Sequence, residues 1–347
     1  MKRDEFMVRL DELYYEVKTY IDNINFDKLW KDFKPLKFAL YNEYECFFDG
    51  KYIEKTNEFL GNTAISFNGE MIAIWNIMEE IEPIILCSKM IHEMFHGFQN
   101  LNNEKRFPNE FEAIYTYQYS KENLIGKLME NNLIIELLDE FDLNKFKRLL
   151  SLRNYRRKNF SFEYSYESKI EQIEGTANFV ELQVLKQLSN PNYLLKIKSM
   201  KESIIDKKNL FPIRIVSYDI GALLLMILKE NNIQFNEEFN DITFLDKLVD
   251  DSNELSKLDT FITIDEELNE YILRSKTIIE KAILKNDVLL KNETQLLGFN
   301  VYNARYYNGF IVSRYFVMYG NEKSPTINYG DFVIEAKNNI VSKIYRI

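Results

Sequence analysis

Apolar residues over the first thirty positions recur at helical spacing. Phe6, Leu10, Leu13, Tyr14, Val17, Tyr20 and Ile21 fall on one stripe, which predicts an amphipathic, core-packing helix over residues 1 to about 31. Two strand-like runs follow, "LKFALYNEYECFF" and "TAISFNGEMIAIW". Within the second, Asn68-Gly69 separates "AISF" from "EMIAIW", a strong signal for a two-residue hairpin turn. Pro83 stands where a first helical turn tolerates it, and helical patterning continues to Asn100. From Asn109 to about Lys285 the chain reads as mostly helix, with breaks near "LRNYRRKNFS", "SNPNY", "KKNLFP" and "KENN". Beyond Asn286, β-branched and aromatic runs with turn pairs Asn308-Gly309 and Asn338-Asn339 read as a small antiparallel meander. The expected class is α+β. A mostly helical domain over 1–285, with a small antiparallel sheet ahead of the 83–100 helix, precedes a β-rich domain over 286–347.

Composition narrows the function. With 46% hydrophobic and 28% charged residues, the chain has the makeup of a globular protein able to bury a main core and a smaller appended domain. A net charge of −10 repels phosphate backbones, which argues against nucleic acid and for a basic or peptide-like substrate. Cys46 and Cys87 are too few for a disulfide framework and read as free thiols in a reducing compartment. The N-terminus is charged and amphipathic, and no segment approaches the ~18 apolar residues of a membrane span. The expectation is a cytoplasmic protein without a membrane partner.

Both histidines of the chain lie in "SKMIHEMFHGFQN", four positions apart, and Glu93 follows the first. Residues four apart share a helix face, so His92 and His96 can offer two imidazole nitrogens to one metal ion. Glu93 borders that face, where a carboxylate can take a proton from water at the metal. Two histidines scattered over 347 positions, 54 of the residues being acidic, meet this HExxH pattern by chance about once in 1,100. Packed or solvated helix histidines are therefore the weaker reading. Zinc is the natural occupant of such a site. With histidine exhausted, the third ligand should be a carboxylate, and "ESKIEQIEGTANFVELQ", Glu167 to Gln183, is rich in them.

HExxH followed by a helix carrying Glu174-Gly175-Thr176-Ala177 resembles the gluzincin metallopeptidases, the thermolysin-like superfamily. The resemblance covers about residues 64 to 230. It implies a thermolysin-like helical core, His92, His96 and Glu174 as zinc ligands, and Glu93 as general base. Gly175 and Ala177 would let two helices approach closely enough for Glu174 to reach the metal. Glu171, one turn earlier, is the competing ligand without small neighbours. The spacing of 78 positions from His96 to Glu174 leaves room for an inserted helical pair near 108–150.

Supporting groups come from position. Asn178, four residues after Glu174, is a candidate acceptor for a ligating imidazole, and Gln99, three after His96, can brace the helix. The superfamily stabilises the oxyanion with a tyrosine or histidine from a later helix, which here points to Tyr218, with Tyr164 and Tyr166 in reserve. The strand "EMIAIW" corresponds to the edge strand that binds extended peptides in such enzymes. "RNYRRKN", Arg153 to Asn159, reads as a solvated interhelical turn rather than a grip for acidic groups. The reading that follows is a zinc peptidase acting on peptide or protein substrates. Its alternatives are a catalytically silent gluzincin fold that binds peptides or a partner protein, and a purely helical interaction protein without metal.

Overall fold

In the computed structural model, which describes residues 9–249, 258 and 261–347, the Asn68-Gly69 pair closes the expected hairpin. Both residues take positive φ, 50° and 82°, matching the twist that a two-residue turn must share with its strands. Phe6, and positions 250–257 and 259–260 of the expected helical run, lie outside the described residues. The architecture is α+β, in two compact units.

The first unit joins the described residues up to Phe107 with Glu171–Glu202 and Tyr218–Leu248. It opens with α1 (Leu10–Asp22) and the single turn α2 (Phe26–Leu29). Strands β1 (Lys37–Tyr41), β2 (Cys46–Phe48), β3 (Lys51–Ile53), β4 (Thr63–Phe67) and β5 (Glu70–Asn76) form one sheet in the order β3-β2-β1-β5-β4. The sheet is antiparallel except for β1 and β5, which run parallel. The expectation that "EMIAIW" is an edge strand is corrected here: β5 lies between β1 and β4, and β4 is the edge. The residues explain it, because Ile72, Ala73 and Ile74 are buried in succession, as an interior strand covered on both faces requires.

Helix α3 (Pro83–Leu101), with proline in its first turn, packs on this sheet through Gly97. A Cβ there would meet Leu36 Cδ1 at 2.4 Å and Met71 Cγ at 3.1 Å. A five-residue π turn, Glu171–Gly175, leads into α8 (Thr176–Gln187). The unit also holds the stretch from Tyr218 onward of α10 (Ile213–Glu230). Here Gly221 touches bare backbone: an added Cβ would fall 2.6 Å from the Glu171 carbonyl oxygen and 2.8 Å from Gly175 Cα.

The second unit joins Pro108–Ile170, Ser203–Ser217 and the described residues from Val249 to Ile347. Its helices include α4 (Glu110–Thr116), α5 (Lys121–Asp139), α6 (Leu143–Asn159), α7 (Ser161–Ile170) and α11 (Asp265–Lys285). Helix α9 (Asn192–Ile205) crosses the sequence boundary between the units. The C-terminal strands are β6 (Val288–Leu290), β7 (Thr294–Phe299), β8 (Arg305–Tyr307), β9 (Phe310–Ser313), β10 (Phe316–Asn321), β11 (Ser324–Tyr329), β12 (Phe332–Lys337) and β13 (Ile340–Arg346). They form a meander of antiparallel hairpins in the order β11-β10-β7-β13-β12-β9-β8, with β6 against β13. Positive φ at Asn308-Gly309 and Asn338-Asn339 turns two of the hairpins. Along β12, Phe332 and Ile334 face a cluster with Phe111 and Ile114 of α4, while Val333 faces Ile279 and Ala282 of α11. The period of two buries both faces of this sheet.

The second unit also corrects the reading of "RNYRRKN" as a solvated turn. Helix α6 runs through it and breaks only at Phe160, and Arg153 and Arg156 are fully buried. Helix α5 is buried all round from Asn123 to Asn131, with Gly126 leaving room for the Arg156 stem. Arg156 pairs with Glu130 of α5 at 3.2 Å and with Glu167 of α7 at 2.6 Å. Lys127 reaches Glu167 at 2.8 Å, and the Tyr117 hydroxyl donates to it at 2.6 Å. Burial alone would raise the Glu167 pKa, but Arg156 and Lys127 outweigh it and hold the group at about 2. Among the described residues, no helix is long and apolar enough to cross a membrane.

Two substitutions test this packing. Gly221→Ala forces α10 away from the π turn and should destabilise the protein by about 1–3 kcal/mol in urea unfolding. Glu167→Gln leaves Arg156 and Lys127 buried without their shared carboxylate and should cost about 3–5 kcal/mol in the same measurement.

Candidate metal centre

His92 and His96 leave α3 one turn apart on the side facing α8. Their Nε2 atoms approach to 3.1 Å, and His96 Nε2 lies 3.4 Å from Oε2 of Glu174 in the π turn. One ligand atom from each of the three residues can be chosen so that all lie within 4.8 Å of one another. Two donors bound to a tetrahedral zinc at 2.0–2.1 Å stand about 3.3–3.4 Å apart. Two edges of the triangle therefore have nearly the separation zinc requires, and rotation of the Glu174 carboxylate adjusts the third.

The orientation of His96 is set by its neighbours. The Gln99 amide nitrogen donates to the Ile173 carbonyl at 3.0 Å and to Thr176 Oγ1 at 3.1 Å. Its oxygen must then be the atom 2.8 Å from His96 Nδ1, so Nδ1 carries the hydrogen. In the neutral ring this leaves the lone pair on Nε2, the nitrogen that faces His92 and Glu174. Thr176 in turn donates to a carbonyl of the π turn, Gln172 at 2.5 Å, and Gln172 Oε1 accepts from the Phe244 backbone at 2.7 Å. The brace expected of Gln99 thus reaches across to α8 as well as along α3.

For His92, whose Nδ1 makes no hydrogen bond among the described residues, the neighbouring carboxylate is Glu181. Its Oε2 lies 3.5 Å from His92 Nδ1, and its Oε1 pairs with Lys196 at 2.5 Å. Asn178 is half-buried, and its side chain forms no hydrogen bond among the described residues. Glu181 stands seven residues after Glu174, about 20° off its direction two turns on, while Asn178 lies about 40° to the other side. The pairings His96 with Glu174 and His92 with Glu181 run in opposite senses along the two helices, so α3 and α8 cross antiparallel.

Glu174, not Glu171, joins the two imidazoles; Glu171 is buried, with its backbone against Gly221. Gly175 serves a different contact from the one expected. Its bare Cα meets Gly221 of α10 rather than α3, and Thr176 is the residue that touches α3 through Gln99. Tyr218 is half-buried on α10, one turn before that glycine contact. Tyr166 and Tyr164 belong to the second unit, where the Tyr166 hydroxyl donates to Glu110 at 2.8 Å and the Tyr164 ring lies 5.2 Å under Arg153. The π turn itself has no signature in a 3.6-residue pattern. Glu181 has one: its two-turn spacing from Glu174.

The electrostatics favour positive charge between these groups. Burial would lower the His96 pKa, but the Glu174 carboxylate, then Glu93 and Gln99, raise it to about 9. Burial would raise that of Glu181, but His92, Lys196 and Lys89 pull it well below the usual carboxylate range. The same Nε2 lone pair can take a proton or a metal ion, and the surrounding carboxylates stabilise either one.

A pH measurement tests the site in chelator-treated protein. The folded His96 pKa of about 9 lies above the 6.5 of a free imidazole. Its contribution to stability is complete below about pH 6.5 and lost as pH rises through about 9. Scanning calorimetry should show the melting midpoint falling across that window, and His96→Gln should flatten the fall. No protein-family model, curated protein or solved structure matches this chain, so the residues above carry the functional reading by themselves.

Proposed function

We propose that the protein is a zinc-dependent peptidase of the gluzincin, thermolysin-like kind. The observation that carries the reading is the convergence of three donors. Two Nε2 atoms stand 3.1 Å apart, one of them fixed in its tautomer by Gln99, with the Glu174 carboxylate 3.4 Å away. His92, His96 and Glu174 would hold the zinc, and the bound ion supplies Lewis-acid polarisation of a scissile carbonyl and acidification of water.

The chain's own groups do the rest. Glu93 follows the first ligand on α3, and its charge bears on His96. It takes a proton from the attacking water and returns it to the leaving amide nitrogen. The Tyr218 hydroxyl donates a hydrogen bond to the developing oxyanion. Gln99 holds the His96 imidazole in orientation through its Nδ1, and the Glu181 carboxylate stands 3.5 Å from Nδ1 of His92. An extended peptide pairs along the open edge of β4, the strand beside β5.

The test combines metal analysis with a peptide-library cleavage assay on native protein and Glu93→Gln. Expected are one zinc per chain in both and a loss of hydrolysis of about 10²–10⁴-fold in the variant. Equal hydrolysis by the two proteins would refute the role of Glu93. Stoichiometric zinc with no hydrolysis by native protein would favour the silent peptide-binding alternative, and absence of stoichiometric zinc would remove both.

A further inference from the structure

In the second unit, α11 and β8 border a recess of about 80 Å³ lined by Lys208, Phe211, Glu267, Glu270, Tyr271, Arg274 and Arg305. Three of its charged groups are cations and two are carboxylates, although the chain as a whole carries −10. Arg305 is half-buried, with its guanidinium carbon 4.9 Å above the Tyr271 ring. That ring stacks in turn on Phe211 at 5.0 Å and 26°. Stacking occupies the flat face of a guanidinium and leaves its N–H edge for a planar or tetrahedral acceptor. Among the described residues, the side chains of Arg305, Arg274 and Lys208 have no ion pair and no hydrogen bond.

Carboxylates are at hand and are not used. Glu270 lies one turn before Arg274 on α11 without pairing with it, and Glu267 is directed to Lys207 at 3.8 Å. Burial lowers the Arg305 pKa, and the like charges of Arg274 and Arg314 lower it further. Three cations against Glu267 and Glu270 leave the lining at +1, and Lys207 beside Glu267 brings the immediate surroundings to +2. The half-buried Arg305 guanidinium, stacked and without an acceptor among the described residues, gains a charge-assisted contact when an anion joins it. The recess is far below the ~300 Å³ at which pockets for drug-sized ligands begin.

We infer that this recess binds a phosphate group, held between the Arg305 and Arg274 guanidiniums with Lys208 alongside, presented as the free ion or as a small phosphomonoester. A dianion matches the local charge, and the edges of Phe211 and Tyr271 line the recess beside it. The site does not depend on the metal or on the proposed peptidase activity.

Isothermal titration tests it, using the full chain with chelator present and ionic strength held constant. Sodium phosphate should give saturable one-to-one binding. Arg305→Gln should weaken it roughly tenfold or more, the cost of a charge-assisted contact. Arg274→Gln, at an exposed position where folding is not at risk, should weaken it in the same direction. Lys323→Gln, the same charge change on the exposed β10–β11 turn, should leave it unaltered. Tighter binding of phenyl phosphate than of inorganic phosphate would support the site with a monoester as its ligand, and the reverse order would support it with the free ion. The proposal is overturned by absence of saturable binding, by equal binding of acetate, by unchanged affinity in both arginine variants, or by an equal loss in Lys323→Gln.

Discussion

A buried amide governs the orientation of the His96 imidazole in the candidate metal centre. Gln99 is nearly inaccessible to solvent, and a buried amide must satisfy both of its ends. Its nitrogen is committed to the π turn and Thr176, which sends its oxygen to His96. This one orientation joins α3 to α8 and chooses which imidazole nitrogen is free. The antiparallel crossing then places Glu174 and Glu181 at successive heights beside the two histidines. An amide rotated by half a turn would put a donor against a donor at His96 and an acceptor against a carbonyl at Ile173, so helix packing and tautomer stand or fall together.

The second unit solves a different problem. Its central helix, α5, is buried without being apolar, and the charges of Lys127 and Glu130 are met by Arg156 and Glu167 on the flanking helices. Such pairs add little net stability compared with a hydrophobic core, but they penalise any register that separates them. The arrangement selects one way of docking α5, α6 and α7. Its cationic recess lies elsewhere in the unit, where Arg274 and Arg305 share a space with Glu270 and, among the described residues, pair with no carboxylate.

Much of this was legible in the sequence because it depends on local spacing. The HExxH pair, the Asn-Gly hairpins and the apolar periodicity of α1 and α3 need only neighbouring residues. So does the placement of Glu174 on a helix with small neighbours. What escaped depends on long-range partners. Whether "EMIAIW" is an edge or an interior strand is decided by β1, more than thirty positions upstream. Arg153 and Arg156 look like a solvated charge run until α5 and α7 supply Glu130 and Glu167. The π turn shifts helical phase by a residue and leaves no mark in composition. Gly175 was legible as a point of close approach, but its partner Gly221 was not, because an isolated glycine does not announce what it faces.

That glycine pair has a mechanical consequence. Most helix contacts are cushioned by side chains, which change rotamer and absorb small displacements. At this contact between α10 and the π turn the nearest atoms are backbone, with Gly221 seated on the Glu171 carbonyl and the Gly175 Cα. Nothing there can flex in place of the main chain, so a push on α10 passes undamped to the residue next door, Glu174, making this helix a stiff lever on the carboxylate.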